Sequence, residues 1–301
     1  MAMKISHTYL DVTKLDIVKR GNANHGKLQQ LINQKKEDEL KKNYHIIKLY
    51  AFGKITDYNN NNKLSINRAL EGNNNKLSID SELFKKNNFE VGSVFSIAEK
   101  FKGGDLFDYI NDSYISISIA KKILLQVAYA LRFIHKSEYI YYDLKPENIV
   151  LHKKFIYSVE DVDVRLIDFD FMIHKRDANK KYKYGTQPYM APEVMGDYYS
   201  NREINTFDRD HTDKLDIFSF GITIIVLLTK TVKDAFSIKD KTLVFEDGSV
   251  FINFKYSNKL LNSEFNELFK LAKDCLKLEP SARLDINTVV EKLEGMKSEN
   301  P

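Results

Sequence analysis

The chain has a single cysteine, Cys275, among 301 residues, so no internal disulfide can form and a reducing compartment is the default. Long apolar runs are also scarce. The longest, IFSFGITIIVLL at 217–228, is too short to span a bilayer and reads as a buried core helix. The first residues, MAMKISHTYLD, contain no apolar stretch of the kind a secretory signal needs. Neither sign of charge is in excess: 46 lysines and arginines against 42 acids give +4 and a pI near 8.7. That bias is too weak to argue for nucleic acid. Together these absences lead to the expectation of a soluble, cytoplasmic protein with neither a membrane nor a nucleic acid as partner.

An apolar share of 43% and a charged share of 29% indicate a globular chain, long enough for one large domain or two lobes. Residues 4–19 alternate in HTYLDV and KLDIVK and predict short strands. Residues 26–42 predict a helix with a lopsided apolar face of Leu28, Leu31 and Ile32, and HIIKLYAFGKI at 45–55 returns to strand. Residues 57–90 are rich in asparagine and repeat NNNKLSI at 60–66 and 73–79. Two units are too few for a solenoid, so the segment reads as a surface insertion, with a docking site for a partner as the other reading. From 94 onward the pattern is regular. VFSIAEKF is a strand and KGGD a turn into a short helix at 105–111. A strongly periodic helix covers 117–137, strands lie within 149–171, and helices cover 214–229, 262–276 and 284–294. Strands first and helices afterwards predict an α+β fold of two lobes: a small β-rich lobe over 1–100, interrupted by the insertion, and a larger helical lobe over 101–301.

Chemistry is concentrated in YYDLKPENIV at 141–150, VRLIDFDF at 164–171, GTQPYMAPE at 185–193, DIFSFG at 216–221 and Arg283 in EPSARLD. In order and spacing this series resembles the eukaryotic protein kinases. The lysine two residues after Asp143 resembles their serine/threonine branch. The resemblance implies ATP and Mg²⁺ as cofactors and a protein substrate with a serine or threonine acceptor. Phosphoryl transfer spreads negative charge over the transferred oxygens, so such a protein must position its reactants and supply positive charge. On this resemblance Asp143 accepts the proton of the incoming hydroxyl and Lys145 neutralises the γ-phosphate, while Asn148 and Asp168 hold magnesium through hard oxygens. Nucleotide contacts fall to Lys19, Ala98, Glu99, Phe101, Asp105 and Val150. Ala98 takes the gatekeeper position, and so small a residue predicts a deep pocket that admits bulky N6-substituted nucleotides. Glu193 and Arg283 resemble a buried ion pair, Asp216 the aspartate that holds the catalytic loop, and Thr186 the threonine beside Asp143.

Four departures from the family pattern stand out. Lys19 in LDIVK is the best strand lysine by its distance to HIIKLY, yet too little chain precedes it for a glycine-rich lid, so either the sequence starts late or the lid is absent. Losing one pre-organised donor of such a lid would slow transfer by about 10²–10³-fold. GNANHGKL at 21–28 nearly reads as the phosphate loop of another NTPase class, but Leu28 stands where a hydroxyl is needed. The helix glutamate expected to pair with Lys19 falls near Gln34 or Glu37, and so polar a helix predicts weak docking. Tyr141 and Tyr142 replace a histidine and a phosphate-gripping arginine, and the loop 171–184 contains no serine or threonine. Loop phosphorylation at such residues is therefore not expected to be the switch. Finally DFD replaces DFG, with Asp170 read as closing a turn rather than touching a metal. The expectation is an active kinase with a divergent lid; a pseudokinase acting as a scaffold is the alternative.

Overall fold

A computed structural model describes residues 2–6, 12–33, 45–54, 94–113, 115–178, 185–194, 211–229, 238–239, 242–243, 245–246, 249–250, 263–277 and 279–296. The chain divides into two compact units, Met1–Lys100 with Asp168–Met172, and Phe101–Ile167 with Ile173–Pro301. The repeats of the 57–90 segment lie outside the described residues.

The first unit contains a three-stranded antiparallel sheet. Its central strand β3 (Val94–Ala98) pairs with β1 (Ala2–Ser6) on one side and β2 (Leu49–Lys54) on the other. Helix α1 (Val12–Asn33) comes after β1. This corrects the expectation of strand over 12–19 and of a helix beginning at 26. LDIV is short enough to suit either period, and the burial of the residues beyond it decides for helix: Asn22, His25, Leu28 and Gln29, at helical spacing, are all buried. The near phosphate loop at 21–28 thus lies inside a continuous helix, where the backbone N–H groups of a phosphate cradle are not on offer. The inward polar groups of α1 are hydrogen-bonded to backbone near β2. His25 Nε2 donates to the Ile47 carbonyl at 3.1 Å, and Leu49 N donates to Gln29 Oε1 at 3.1 Å.

The second unit is mainly helical. Helix α2 (Leu106–Asp112) is capped by Asp105, whose Oδ1 accepts from Asp108 N at 2.9 Å. Helix α3 (Ile117–Lys136) is capped by Ser116. It buries a stripe including Ile119, Ile123, Leu124, Val127, Leu131 and Ile134 and carries Lys136 in its last turn, a cation that suits a helix C-terminus. The β4 strand (Tyr139–Ile140) pairs with β7 (Ile173–His174), and β5 (Ile149–Leu151) pairs with β6 (Val164–Leu166). Helix α4 (Lys214–Thr229) is apolar nearly all round and forms the centre of the core, with Ile217, Phe218, Phe220, Ile222 and Ile225 buried. It packs on α5 (Ser263–Cys275), while α6 (Ile286–Gly295), capped by Asp285, packs on α3. Among the described residues no helix is long and apolar enough to cross a membrane.

Candidate active site

The loop 141–148, the candidate catalytic loop, is held by one carboxylate. Asp216, in the first turn of α4, is wholly buried. Its Oδ2 accepts from Tyr141 N at 2.8 Å and its Oδ1 from Tyr142 N at 2.7 Å. His135 of α3 lies 2.8 Å from Oδ2 through Nε2. A buried carboxylate needs such donors, and here they tie the loop to both core helices. Held this way, Tyr142 adopts a φ of 77°, in the left-handed region.

Both tyrosines that depart from the family pattern are buried. Tyr141 does more than fill space, since its hydroxyl donates to the carbonyl of Ile167, the residue before Asp168.

Above this base Asp143, 4% exposed, is surrounded by donors. Thr186 Oγ1 donates to its Oδ1 at 2.7 Å, and Asn148 Nδ2 donates to its Oδ2 at 3.0 Å. Lys145 Nζ lies 3.1 Å from Oδ2 and donates to Thr186 Oγ1 at 2.6 Å. Asn148 Nδ2 also donates to the Asp143 carbonyl at 2.8 Å. Both amide protons of Asn148 are therefore turned to Asp143, which leaves its carbonyl oxygen as the atom able to meet a metal. The second unit thus brings four expected residues, Asp143, Lys145, Asn148 and Thr186, into one cluster. Glu193 and Arg283 form the expected pair, bidentate at 2.6 and 2.7 Å, with the Arg283 side chain fully buried.

Asp168 belongs to the first unit. Its φ is 56°, and its Oδ1 accepts from Asp170 N at 3.4 Å. The left-handed residue of DFD is therefore its first aspartate, a residue type that tolerates that region, and Asp170 does not need a glycine's freedom. A carboxylate and an amide oxygen are hard donors that suit magnesium. Among the described residues no group of three histidines, cysteines or acids forms a chelating cluster.

The nucleotide residues are more dispersed. Ala98 ends β3, and Glu99 N donates to the Lys48 carbonyl at 2.8 Å, so the carbonyl of Glu99 is not engaged in that bond. In the second unit Phe101 packs on His152 and under Arg165, and Asp105 bridges to Val150 through the backbone. Asp105 therefore has a capping role that the sequence pattern did not reveal. Lys19 does not occupy a strand: it is exposed on α1, which corrects its expected place. Its expected partners Gln34 and Glu37 lie outside the described residues. The strand before the helix carries Lys4 instead, opposite Ser96 of β3. The signal that could have found it is AMKIS itself, a lysine in a short β-prone run immediately preceding a helix.

Residues 82–293 match the family model described as protein kinase domain. The chain is 30% identical over 205 residues to a putative serine/threonine-protein kinase of Acanthamoeba polyphaga mimivirus, covering 66% of this chain and 62% of that protein. It is 33% identical over 150 residues to calcium-dependent protein kinase 4 of Plasmodium berghei, covering 49% of this chain and 25% of that protein. Over 163 residues it is 29% identical to serine/threonine-protein kinase cds1 of Schizosaccharomyces pombe, covering 54% of this chain and 32% of that protein.

Proposed function

This chain belongs to the protein kinase family, and we propose that it transfers the γ-phosphate of ATP to a serine or threonine hydroxyl of a protein, with magnesium as the metal. The observation that carries this reading is the cluster of Asp143, Lys145 and Asn148, on a loop fixed by buried Asp216, with Thr186 hydrogen-bonded to it from the 185–194 segment. Asp143 accepts the proton of the attacking hydroxyl, and Thr186, hydrogen-bonded to it, fixes the carboxylate plane. Lys145 supplies a positive charge to the group in flight. Asn148 and Asp168 hold the metal, which when bound neutralises charge on the phosphate oxygens. Ala98, Glu99, Phe101, Asp105 and Val150 receive the nucleotide. Lys4 on β1 takes the strand-lysine part first expected of Lys19. The acceptor protein is of the serine/threonine class, and the asparagine-rich segment is proposed as a surface insertion.

A second reading, a kinase-fold scaffold without transfer, is favoured by one observation. Helix α1 contains no glutamate to pair with a strand lysine.

Transfer of labelled γ-phosphate to a mixed set of serine and threonine peptides, with Mg²⁺ and then Mn²⁺, separates the two. Asp143→Asn is expected to lower incorporation by about 10²–10⁴-fold, the usual contribution of a positioned base. Lys4→Ala is expected to lower it as well, and Lys19→Ala to leave it unchanged. Equal labelling of wild type and Asp143→Asn would favour the scaffold.

A further inference from the structure

Although α1 has no glutamate, its inner face is closely applied to the segment Asp168–Met172, all within the first unit. A Cβ on Gly21 would lie 2.3 Å from Asp170 Cα and 2.4 Å from the Phe169 carbonyl oxygen, so the helix backbone itself touches the segment. One turn later the buried Asn24 donates its side-chain amide to the Met172 carbonyl at 2.9 Å. Next to it the His25 ring stacks on Phe169, with 4.0 Å between centroids and 28° between planes. His25 is fixed in turn by its bond to the Ile47 carbonyl. The segment closes on itself, Met172 N donating to the Phe169 carbonyl at 3.1 Å. The three helix residues therefore grip both ends of a short turn that begins at Asp168, the residue with positive φ.

We propose that Gly21, Asn24 and His25 are positioning residues for phosphoryl transfer, holding Asp168 in its metal-binding conformation through uncharged contacts where a helix–strand ion pair would otherwise serve. The inference rests on the reading of Asp168 as a magnesium ligand. It also reverses the expectation of a weakly docked helix. Each contact is specific in kind: a bare backbone at 21, an amide donor at 24 and a flat ring at 25. The Met172 carbonyl needs a donor, so an acid of the same shape as Asn24 would leave that carbonyl unsatisfied and oppose it.

The test is Asn24→Asp in the full chain, with His25→Ala as a second variant should the buried acid prevent folding. Backbone amide exchange at 169–172 is expected to quicken about tenfold, the loss of one buried hydrogen bond, while exchange in α3 is unchanged. The Mg²⁺ concentration for half-maximal peptide phosphorylation is expected to rise by a similar factor, with the KM for peptide constant. A residue that merely stabilises the fold would quicken exchange in other elements too and leave the magnesium dependence alone. Unchanged exchange at 169–172 in both variants would overturn the proposal. Should the wild type transfer no phosphate, it is the catalytic reading that fails. The same comparison made on magnesium-dependent ATP binding then decides the positioning: a shifted half-saturation supports it and an unshifted one overturns it.

Discussion

Replacing Tyr141 by phenylalanine removes one oxygen atom and little of the packing. The Ile167 carbonyl then loses its donor in a part-buried place. Such a group left unsatisfied costs about 1–3 kcal/mol, to be read as a lower urea midpoint at constant slope. A role confined to packing would leave the midpoint where it is. The Glu193–Arg283 pair makes a stronger prediction at the same scale. Arg283 also donates to the Lys277 carbonyl at 2.8 Å and lies 5.0 Å over the Phe218 ring. Glu193→Ala leaves that cation buried without its acid, and is expected to lower stability by about 3–5 kcal/mol in denaturant titration. The grouping of Asp143, Lys145 and Asn148 was legible in the sequence because the chemistry proposed for them needs fixed residue types at fixed offsets along one short loop. The place of Lys4 on a strand was not, because that strand is defined by its pairing with distant β3. Choosing Lys19 by its distance to HIIKLY assumed a strand where the chain is helical.

Elements were legible where burial is mainly apolar. The stripe of α3 and the long, mainly apolar run of α4 put their bounds within a residue of those expected. Helix α1 was misread because, among the residues whose burial is described, its buried face is Gly21, Asn22, Asn24, His25, Gly26 and Gln29 around Leu28. That face is periodic only once polar residues are allowed inward, and their partners, the carbonyls of Ile47 and Met172 and the N–H of Leu49, come from distant chain. This polar docking should be sensitive to acid. Burial lowers the pKa of His25 to about 4 from an ordinary 6.5. Above pH 6.5 the ring is neutral in both folded and unfolded chains and carries no penalty. As pH falls from 6.5 towards 4, the unfolded chain takes up the proton first and stability drops, by about 3 kcal/mol in all. Urea midpoints of the wild type are expected to fall across that window more steeply than those of His25→Phe, and parallel curves would refute the assignment. At the contact of α4 with α5, a methyl on Gly221 would come within 2.7–2.9 Å of Leu276 and Cys275 side-chain atoms. Gly221→Ala is expected to cost about 1–3 kcal/mol through overpacking, measured as a loss in Tm.

For the whole molecule, ligand binding and chemistry can be separated by heat. A ligand that binds only the folded chain stabilises it by about 2.7 kcal/mol at a concentration of 100 Kd. ATP with magnesium is expected to raise Tm in the wild type and in Asp143→Asn alike, because the role proposed for Asp143 is on the acceptor hydroxyl and not on the nucleotide. In Asp168→Asn the magnesium-dependent part of that rise is expected to disappear. A rise independent of metal in all three would leave the proposed metal ligands without a role. The two-lobed kinase fold itself was legible from five motifs in order, which lie in the part of the chain matched by the family model.

The carboxylate of Asp216 is shared by α3, α4 and the catalytic loop, so none of the three can let go of it alone without leaving a charge buried. Loss of activity and melting of the helical core should then be a single event in this chain. Cys275 offers a clock for it: the thiol is fully buried against α4, and burial pushes its pKa up, so reagents reach it only when the core opens. On warming, thiol labelling and the loss of the proposed phosphate transfer should follow the same curve, which would make the working lifetime of that activity a property of the core rather than of the candidate site.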